Sequence, residues 1–449
     1  ALTDEALRMR LRDTPVGERQ SWSGVAEQTA AVYDGLLARK RRRSMRPRPR
    51  LACITPLPPN PSGVADYSYR LLAELAEYCP VDAFFDDLFG DVEAPSGVVA
   101  EPIWKFPARD AARDGYDQVL YCLGNSEFHA AALSLLPRRP GVVLAHDVRL
   151  MGAYWWISLR RHPHIPPLIF YDALHAMYEG LPPSLGEQGG ITIEEADQFD
   201  VYMARRAIAA ADRFLVHSRH AAELAARDAW AGQADKIQAV PFACPAPEEF
   251  ERPSARTREP LVATFGIVSP VKQVSKIVEA FAVACRDVPE AVLAIVGRPV
   301  EPGERDRYLR HAEALGIGGR VRVTGAVEPA EYRSWLASAS VAVQLRDYAH
   351  GESAASVMEC LAAGVPTIVT RIGAAAELPD SCVVKVDREV RAETLGAEIG
   401  SLLDDNARCD ELRKAGIEYA RENSFARAAE ALYKILAEEA QVRGRTLAA

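Results

Sequence analysis

The chain has 449 residues, of which 49% are hydrophobic and 26% are charged, and its formal net charge at neutral pH is −9. This length exceeds what one hydrophobic core usually serves, so we expect two domains of roughly 200 residues each. No run of about 18 apolar residues occurs, and the negative charge gives no global support for nucleic-acid binding. We therefore expect neither a membrane-spanning helix nor a nucleic-acid partner.

The first 38 residues end in an amphipathic segment, SWSGVAEQTAAVYDGLLA (21–38), that resembles SFARAAEALYKILA (424–437) near the end of the chain. One interpretation is a chance likeness between two alanine-rich helices. The other is that residues 1–38 are a helical remnant, the closing helices of a preceding and related domain pair in a longer chain.

A basic linker follows at residues 39–50, RKRRRSMRPRPR, with eight Arg or Lys and two Pro among twelve residues. Such a segment is expected to be extended and solvated. It is either a plain tether or a handle for an anionic membrane surface or an acidic partner. The eight cysteines are scattered without a Cys-X-X-Cys pair, which is typical of reduced thiols. We expect a cytoplasmic protein, with peripheral contact at the inner face of the membrane if the linker acts as a handle.

From residue 51 onward, short apolar runs alternate with longer helical patterns. Uninterrupted apolar strands separated by helices are typical of parallel sheets that are covered on both faces. We predict an α/β protein with two doubly wound Rossmann-like domains, at 51–245 and 257–423, followed by a C-terminal helix at 424–449. The proline-rich segment 244–260 marks the boundary, and a ligand cleft is expected between the domains.

The segment HGESAASVMECLAAGVP (350–366) places Glu352 and Glu359 around an alanine-rich helical pattern. Ser353 is a favoured N-cap and Gly364 suits the position after the helix, which would place both acids on one helix face. The helix N-terminus would favour a phosphate, and a carboxylate accepts hydrogen bonds from a vicinal diol. The pattern fits either a nucleotide site or an ordinary helix with solvated acids.

The segment HGESAASVMECLAAGVPTIVTRIGAAAEL resembles the donor-site signature of the retaining glycosyltransferases of family 4, which have the two-domain GT-B fold. Further segments resemble the family in the family's order: LACITPLPPNPSGVADYSYRLLAEL (51–75), GVVLAHD (141–147), FLVHSRHAAEL (214–224), ATFGIVSPVKQVSKIVEAF (263–281), AVLAIVGRP (291–299) and VRVTGAVEPAEYRSWLASASVAVQLR (321–346). The resemblance covers residues 51–437 and implies two Rossmann-like domains that face each other across a cleft, with a C-terminal helix that crosses back to the N-terminal domain.

The resemblance also implies roles for individual residues. Glu359 matches the acid that holds the nucleotide ribose, Glu352 the acid that contacts the donor sugar, and Lys272 the lysine that pairs with the donor diphosphate. His146 matches a histidine near the transferred sugar, and Gly63 a turn that approaches donor and acceptor. The candidate sets are His146, Lys272 and Glu352 for catalysis, Gly63, Gly266, Lys272, Arg346, Glu352, Ser353, Ala354 and Glu359 for the donor, and Asp66, Tyr67, Asp147 and Trp155 for the acceptor.

Two departures from the family pattern bear on these roles. Six residues, rather than the usual seven, separate the two glutamates, and Ser353-Ala354-Ala355 replaces a Gly-aromatic-Gly turn. The arginine that is common before the lysine is absent, and we predict that Arg346 supplies this charge. Asp147 has a competing interpretation as a helix cap. The aromatic segment 151–186, which contains Trp155, is either core, a lid, a sugar platform or a lipid contact.

The resemblance therefore implies a metal-independent retaining glycosyltransferase without a cofactor, which moves a hexose from a nucleotide diphosphate sugar to a hydroxyl of a glycan or lipid-linked acceptor. GDP-mannose is the preferred donor, because the GVADYS and HGES variants resemble bacterial mannosyl-transferring relatives in polysaccharide synthesis; UDP- and dTDP-sugars stay open. Two rivals also stay open. One is a non-catalytic nucleotide-sugar-binding GT-B module of a larger multi-domain synthase, and the other is a GT-B epimerase or phosphorylase.

Overall fold

The computed structural model describes residues 24–27, 29–31, 33, 48–112, 114–159, 168–251 and 259–446. The described residues between 24 and 33 are helical and almost all exposed. Most of the predicted remnant and of the basic linker lies outside the described residues. Their interpretations therefore stay predictions.

The N-terminal domain is built on one parallel sheet of seven strands in the order β3-β2-β1-β4-β5-β6-β7. The strands are β1 Leu51–Ile54, β2 Val81–Phe85, β3 Val99–Pro102, β4 Gln118–Leu123, β5 Val142–Ala145, β6 Arg213–Val216 and β7 Ile237–Ala239. The helices are α1 Gly63–Leu75, α2 Phe106–Ala111, α3 Ala130–Leu135, α4 Met151–Leu159, α5 Phe170–Met177, α6 Ile193–Gln198, α7 Arg205–Ala210 and α8 Arg219–Asp228.

The C-terminal domain repeats this architecture with six parallel strands in the order β10-β9-β8-β11-β12-β13. The strands are β8 Leu261–Phe265, β9 Val292–Val296, β10 Val321–Gly325, β11 Val341–Gln344, β12 Thr367–Thr370 and β13 Val384–Val386. The helices are α9 Val274–Ala284, α10 Glu304–Ala314, α11 Pro329–Ser338, α12 Ala355–Ala362, α13 Gly373–Ala376, α14 Ala392–Asp404 and α15 Asn406–Glu422.

The predicted doubly wound fold is confirmed in both domains, and its cause lies in the strand sequences. Every residue of β1, β4, β5 and β8 is buried, because helices cover both faces of each sheet. The strand order reverses between β1 and β4 and again between β8 and β11. In such sheets ligands bind beyond the carboxyl ends of the strands at the reversal point, so the two reversal points locate the candidate cleft.

The C-terminal helix α16, Phe425–Thr446, packs against α1 of the N-terminal domain, as expected. Leu432 and Leu436 are buried in a cluster that contains members of both sheets, and Tyr433 stacks on Tyr78 with ring centroids 5.4 Å apart. The ion pair between Arg213 and Glu439, 2.6 Å apart, adds a polar contact at the same interface.

The two chain crossings between the domains lie side by side. The backbone N–H of Cys244 donates a hydrogen bond of 2.8 Å to the carbonyl of Asn423, and Cys244 forms an isolated parallel bridge with Ser424. The first crossing therefore meets the second where α15 ends and α16 begins. This arrangement fixes one end of the cleft and leaves the strand ends facing each other at the other.

Candidate active site

Lys272 lies in the segment that connects β8 with α9. Its Nζ donates a hydrogen bond to the carbonyl of Phe265, the last residue of that strand. Burial, followed by the positive charge of Arg346, lowers the pKa of Lys272 to about 7. Gly266 has a φ of +92°, and a Cβ there would lie 2.8 Å from the Lys272 Nζ. The backbone conformation favours glycine at position 266, and a Cβ there would displace the Lys272 Nζ.

Glu359 lies on α12, and its Oε2 accepts a hydrogen bond of 2.7 Å from the hydroxyl of Tyr332. Burial raises the pKa of Glu359, while the Tyr332 hydrogen bond and the charges of Arg70 and Lys272 oppose the rise. Tyr332 comes from α11 and packs edge-on to Phe265, with centroids 5.7 Å apart. Sequence reasoning missed Tyr332, because no spacing signal connects α11 with α12.

Glu352 lies in the loop just before the helix that carries Glu359, as expected, but the prediction that both acids lie on one helix face was wrong. The helix α12 begins at Ala355, and Ala354, with extended backbone angles, is the N-cap. Ser353 is not the N-cap either, since its buried Oγ has no hydrogen-bond partner among the described residues. The loop that carries Glu352 is therefore shaped by contacts other than helix capping.

Glu352 forms an ion pair with Arg346, and its other oxygen accepts a hydrogen bond of 2.7 Å from the backbone N–H of His350. Asp147, at the end of β5 in the N-terminal domain, faces this pair. Burial and then the negative charge of Glu352 raise the pKa of Asp147 to about 6. Its Oδ2 accepts a hydrogen bond of 2.9 Å from the N–H of Asn125. Thus carboxylates from both domains meet at the cleft.

His146 is buried at the end of β5, with its Nδ1 3.2 Å from the Nε2 of His217. Burial, then the charges of neighbouring histidines, holds the pKa of His146 well below its usual value, so the ring is neutral at neutral pH. Its Nε2 is buried and has no partner among the described residues. Tyr67 packs edge-on to His146, and its hydroxyl accepts a hydrogen bond from the N–H of Ala243. Tyr67 is therefore a core residue and offers no surface to an acceptor.

The helix α1 of the N-terminal domain lies near Glu359 of the C-terminal domain. The Ser62 hydroxyl accepts a hydrogen bond from the N–H of Val64, and a Cβ on Gly63 would meet nothing within 4 Å. Asp66 and Arg70 lie on this helix, and their charges act on Glu359 of the other domain. The loop at Gly63 therefore leaves open space at a helix N-terminus, which favours an anionic ligand.

A three-residue contact, here called the Arg149 bridge, joins the domains beside Glu352. Arg149 is 3% exposed; its Nη2 lies 2.6 Å from Asp197 and its Nη1 2.9 Å from the Nε2 of His350. Next to it, a Cβ on Gly351 would lie 2.5 Å from the Val148 side chain, and Gly351 has a φ of +98°. Sequence reasoning missed Arg149, although the loop after β5 was already a candidate.

A second contact between the domains lies at the N-terminus of α8. The Glu377 carboxylate accepts hydrogen bonds from the backbone N–H groups of Arg219, at 3.0 Å, and His220, at 2.7 Å. The His220 Nε2 also lies 3.3 Å from the carbonyl of Ala349. The residues that follow, 350–354, are here called the donor loop, because the sequence predicts that they contact a donor. The donor loop is therefore held against the N-terminal domain from two directions.

Trp155 lies on α4 and is 37% exposed, with its ring inclined by 64° to that of Trp156 at a centroid distance of 5.0 Å. It lines a surface cavity rather than the core. Across the described residues there is no group of three or more His, Cys, Asp or Glu that could hold a metal ion. None of the helices in the described part of the chain is long and apolar enough to cross a membrane.

Comparison with known proteins places these features in a family context. Residues 246–423 match the family model for glycosyl transferases group 1, whereas no curated protein matches the chain. The sucrose-phosphate synthase from Thermosynechococcus elongatus is similar in structure, with a TM-score of 0.62, 17% identity, and coverage of 86% of this chain and 98% of that one.

Two further structures show the same similarity. HepE from Anabaena, solved in complex with UDP and glucose, has a TM-score of 0.59 at 13% identity, covering 87% of this chain and 100% of its own. WaaG, a glycosyltransferase involved in lipopolysaccharide biosynthesis, has a TM-score of 0.58 at 14% identity, covering 86% of this chain and 99% of its own. The chain therefore has the GT-B fold, and its residues 246–423 resemble the glycosyl transferases of group 1.

Proposed function

We propose that this protein is a glycosyltransferase that moves a hexose from a nucleotide diphosphate sugar to an acceptor hydroxyl with retention of configuration. The observation that carries the proposal is the arrangement of Lys272, Arg346 and Glu359 at the carboxyl ends of β8 and β11, inside the domain that matches group 1 glycosyl transferases. Two cations beside a half-buried carboxylate fit a ligand with both a diphosphate and a diol.

Each group has a role in holding the donor. Glu359 accepts hydrogen bonds from the ribose hydroxyls, and Tyr332 fixes the orientation of its carboxylate. Lys272 and Arg346 neutralise the diphosphate, whose charge grows as the bond to the sugar breaks. In the ligand-free protein Arg346 is paired with Glu352, so we propose that diphosphate binding draws Arg346 toward the phosphates and frees Glu352 for the donor sugar.

We propose a transfer step that uses the remaining groups of the cleft. The acceptor oxygen bonds to the anomeric carbon on the face from which the diphosphate departs, and its proton passes to the departing phosphate oxygen. The neutral His146 directs its unpartnered Nε2 to a hydroxyl of the transferred sugar. Asp147 faces Glu352 across the cleft, on the acceptor side. No step in this proposal uses a metal ion or a cofactor.

For the donor, we keep GDP-mannose as the first proposal, on the resemblance of the GVADYS and HGES segments to mannosyl-transferring relatives. UDP-sugars are the main competitors, since the structurally similar HepE was solved with UDP and glucose. A glycan or lipid-linked hydroxyl is the proposed acceptor.

The first experiment is a thermal-shift panel of GDP, UDP, dTDP and ADP, followed by their sugars. A ligand at 100 times its dissociation constant stabilises the folded state by about 2.7 kcal/mol. Replacing Glu359 with Gln removes the charged acceptor and is expected to weaken nucleotide binding by about 10- to 100-fold, the loss of a hydrogen bond to a charged group. Glu389→Gln is the matched control, because the Glu389 side chain is 87% exposed.

A shift with at least one nucleotide that is lost in Glu359→Gln and kept in Glu389→Gln would support the proposal. Absence of a shift with every nucleotide and every nucleotide sugar would contradict it, and so would equal binding by the two variants.

One observation favours a second candidate, a nucleotide-sugar-binding module that does not catalyse transfer. Glu352, one residue out of the family register, is held by Arg346 and by the His350 backbone rather than left free for a sugar. Donor hydrolysis distinguishes the two functions: release of free hexose from a bound nucleotide sugar supports the enzyme, whereas tight binding without hydrolysis or transfer supports the module.

A further inference from the structure

A cavity of about 610 Å³ lies in the N-terminal domain beside α4. Its volume is in the range of small-molecule sites. It begins at Met151 and Gly152, a few residues beyond Asp147, and the loop 184–192 forms its outer wall. The residues that line it are Met151, Gly152, Trp155, Phe170, Ser184, Gly186, Glu187, Gln188, Gly190, Ile191, Thr192 and Glu195.

Asn125 fixes this cavity to the cleft. Its backbone N–H donates a hydrogen bond to the Asp147 carboxylate, and its Oδ1 accepts one of 3.1 Å from the N–H of Ala153 in α4. A Cβ on Gly152 would lie 2.9 Å from the same Oδ1, so this glycine lets α4 approach Asn125. The first turn of α4 is therefore held at a defined position relative to Asp147.

The opposite wall is connected to the donor loop. The helix α6 carries Glu195, which lines the cavity, and Asp197, which is the outer member of the Arg149 bridge. Through this bridge α6 contacts His350, two residues before Glu352. A ligand in the cavity would therefore lie between two elements that both contact the candidate site.

The chemistry of the lining selects the type of ligand. Trp155 is 37% exposed. Gly190 packs so close to the indole that a Cβ on Gly190 would lie 3.1 Å from the Trp155 Cδ1. Around this apolar surface the lining contributes two carboxylates, one amide and two hydroxyls. Among the described residues that line the cavity there is no Lys or Arg. An aromatic face surrounded by carboxylate, amide and hydroxyl groups suits an uncharged polyol, whereas a phosphate would be repelled by the two carboxylates and would meet no cation among these lining residues.

We propose that this cavity is a saccharide subsite for the acceptor, in which Trp155 packs against one face of a pyranose ring. Glu187 and Gln188 are exposed on the loop 184–192 and accept hydrogen bonds from its hydroxyls. This proposal rests on the proposed glycosyltransferase function. It assigns the acceptor to neutral glycans and gives a lipid phosphate no place in the cavity.

The test uses the full chain and saturation-transfer NMR, which detects weak sugar binding. The probes are methyl glycosides of glucose, galactose, mannose, rhamnose and N-acetylglucosamine, each with and without GDP or UDP. We expect ring-proton signals from at least one probe, and a loss of affinity of about tenfold in Trp155→Ala, because the aromatic contact is removed. Trp155→Phe keeps an aromatic face and is expected to retain most of the binding.

Trp230→Ala is the matched control, since Trp230 is 39% exposed and does not line the cavity. Equal binding by wild type and Trp155→Ala would overturn the proposal, as would the absence of a signal from every probe. Binding to vesicles that contain a polyprenyl phosphate, lost in Trp155→Ala without any sugar signal, would also overturn it in favour of a lipid site.

The same samples separate this proposal from the proposed function. If the protein binds a nucleotide but no sugar, the saccharide subsite fails and the donor site stands. If it binds sugars at Trp155 but no nucleotide, the cavity is a saccharide site, whereas its role as an acceptor subsite and the glycosyltransferase proposal both fail.

Discussion

The buried position of Lys272 predicts that nucleotide binding depends steeply on pH. In the free protein its pKa is about 7, because burial and the nearby Arg346 disfavour the charged form. A bound diphosphate would place negative charge beside the ammonium group and raise this pKa toward its ordinary value. At a pH between these two pKa values, Lys272 is mostly neutral in the free protein but protonated in the complex. The affinity for the diphosphate is therefore highest below pH 7 and decreases above it.

The magnitude follows from the pKa. At pH 8 about nine in ten Lys272 side chains are neutral in the free protein, so binding takes up about 0.9 proton. Above pH 7 each further pH unit costs about 1.4 kcal/mol of binding free energy, a factor of about ten in affinity. Between pH 7.5 and 9.0, where the diphosphate itself is fully ionised, the dissociation constant should rise about 25-fold.

The assay is isothermal titration calorimetry of the nucleoside diphosphate that gives a thermal shift. Titrations at pH 8 in two buffers with different ionisation enthalpies give the number of protons taken up. Lys272→Met is the matched variant, since it keeps an unbranched side chain of similar length without the titrating group. It should bind more weakly, with a flat dependence on pH and an uptake near zero.

Two results would refute this reasoning. The first is a wild-type proton uptake near zero at pH 8 together with an affinity that does not change between pH 7.5 and 9.0. The second is the same uptake in wild type and in Lys272→Met, which would assign the proton to another group.

Three further predictions concern the donor site. Tyr332→Phe removes the hydrogen bond to Glu359. Nucleotide binding, measured by calorimetry, should weaken about tenfold or more, because this is a hydrogen bond to a charged group. Unchanged affinity would contradict the proposal that Tyr332 orients the Glu359 carboxylate. Gly266→Ala introduces a Cβ at a φ of +92°, close to the Lys272 Nζ. It should lower the free energy of unfolding, measured with urea, by about 1–3 kcal/mol. Wild-type stability would show that the loop adapts. His350→Ala removes the contact of the C-terminal domain with Arg149. This change should increase the radius of gyration in solution scattering and weaken nucleotide binding. Identical scattering and affinity would show that the Arg149 bridge does not hold the domains together.

The fold could be read from the sequence because its signals are local. A parallel strand covered on both faces must be apolar along its whole length, as β1, β4 and β5 are. Each crossover needs a helix, so the alternation of patterns predicts the doubly wound sheets. Family 4, the mannosyl donor and retention rest on resemblance alone and stay predictions.

Part of the site was also open to sequence reasoning. Gly266 and Lys272 lie within seven residues of the end of β8. Glu359 lies on α12, the helix between β11 and β12 of the same sheet. Their place near one ligand was a prediction from the family resemblance, and it agrees with the rule that ligands bind beyond the carboxyl ends of the strands at the reversal point. Pattern alone could not give Tyr332 or Arg149, which reach the site from other segments.

The helix start is the clearest case in which local preference gave the wrong answer. Ser353 has the higher propensity for an N-cap, yet the helix begins at Ala355. Just before it, Gly351 approaches Val148 closely, Glu352 binds Arg346 and His350 binds Arg149. These contacts with distant residues constrain the loop, and a single local hydrogen bond of about 1 kcal/mol does not outweigh them.

By itself, the sequence determined the two sheets, the crossovers between their strands and the loops that follow the strand ends, because these depend on the order of apolar and polar residues along the chain. Only the tertiary structure decided which side chains face each other across the cleft. It paired Arg346 with Glu352, placed Asp147 opposite them, and put Tyr67 in the core rather than at the surface. Such pairings depend on how the two sheets pack together, and the hydrophobic periodicity of one segment does not predict that packing.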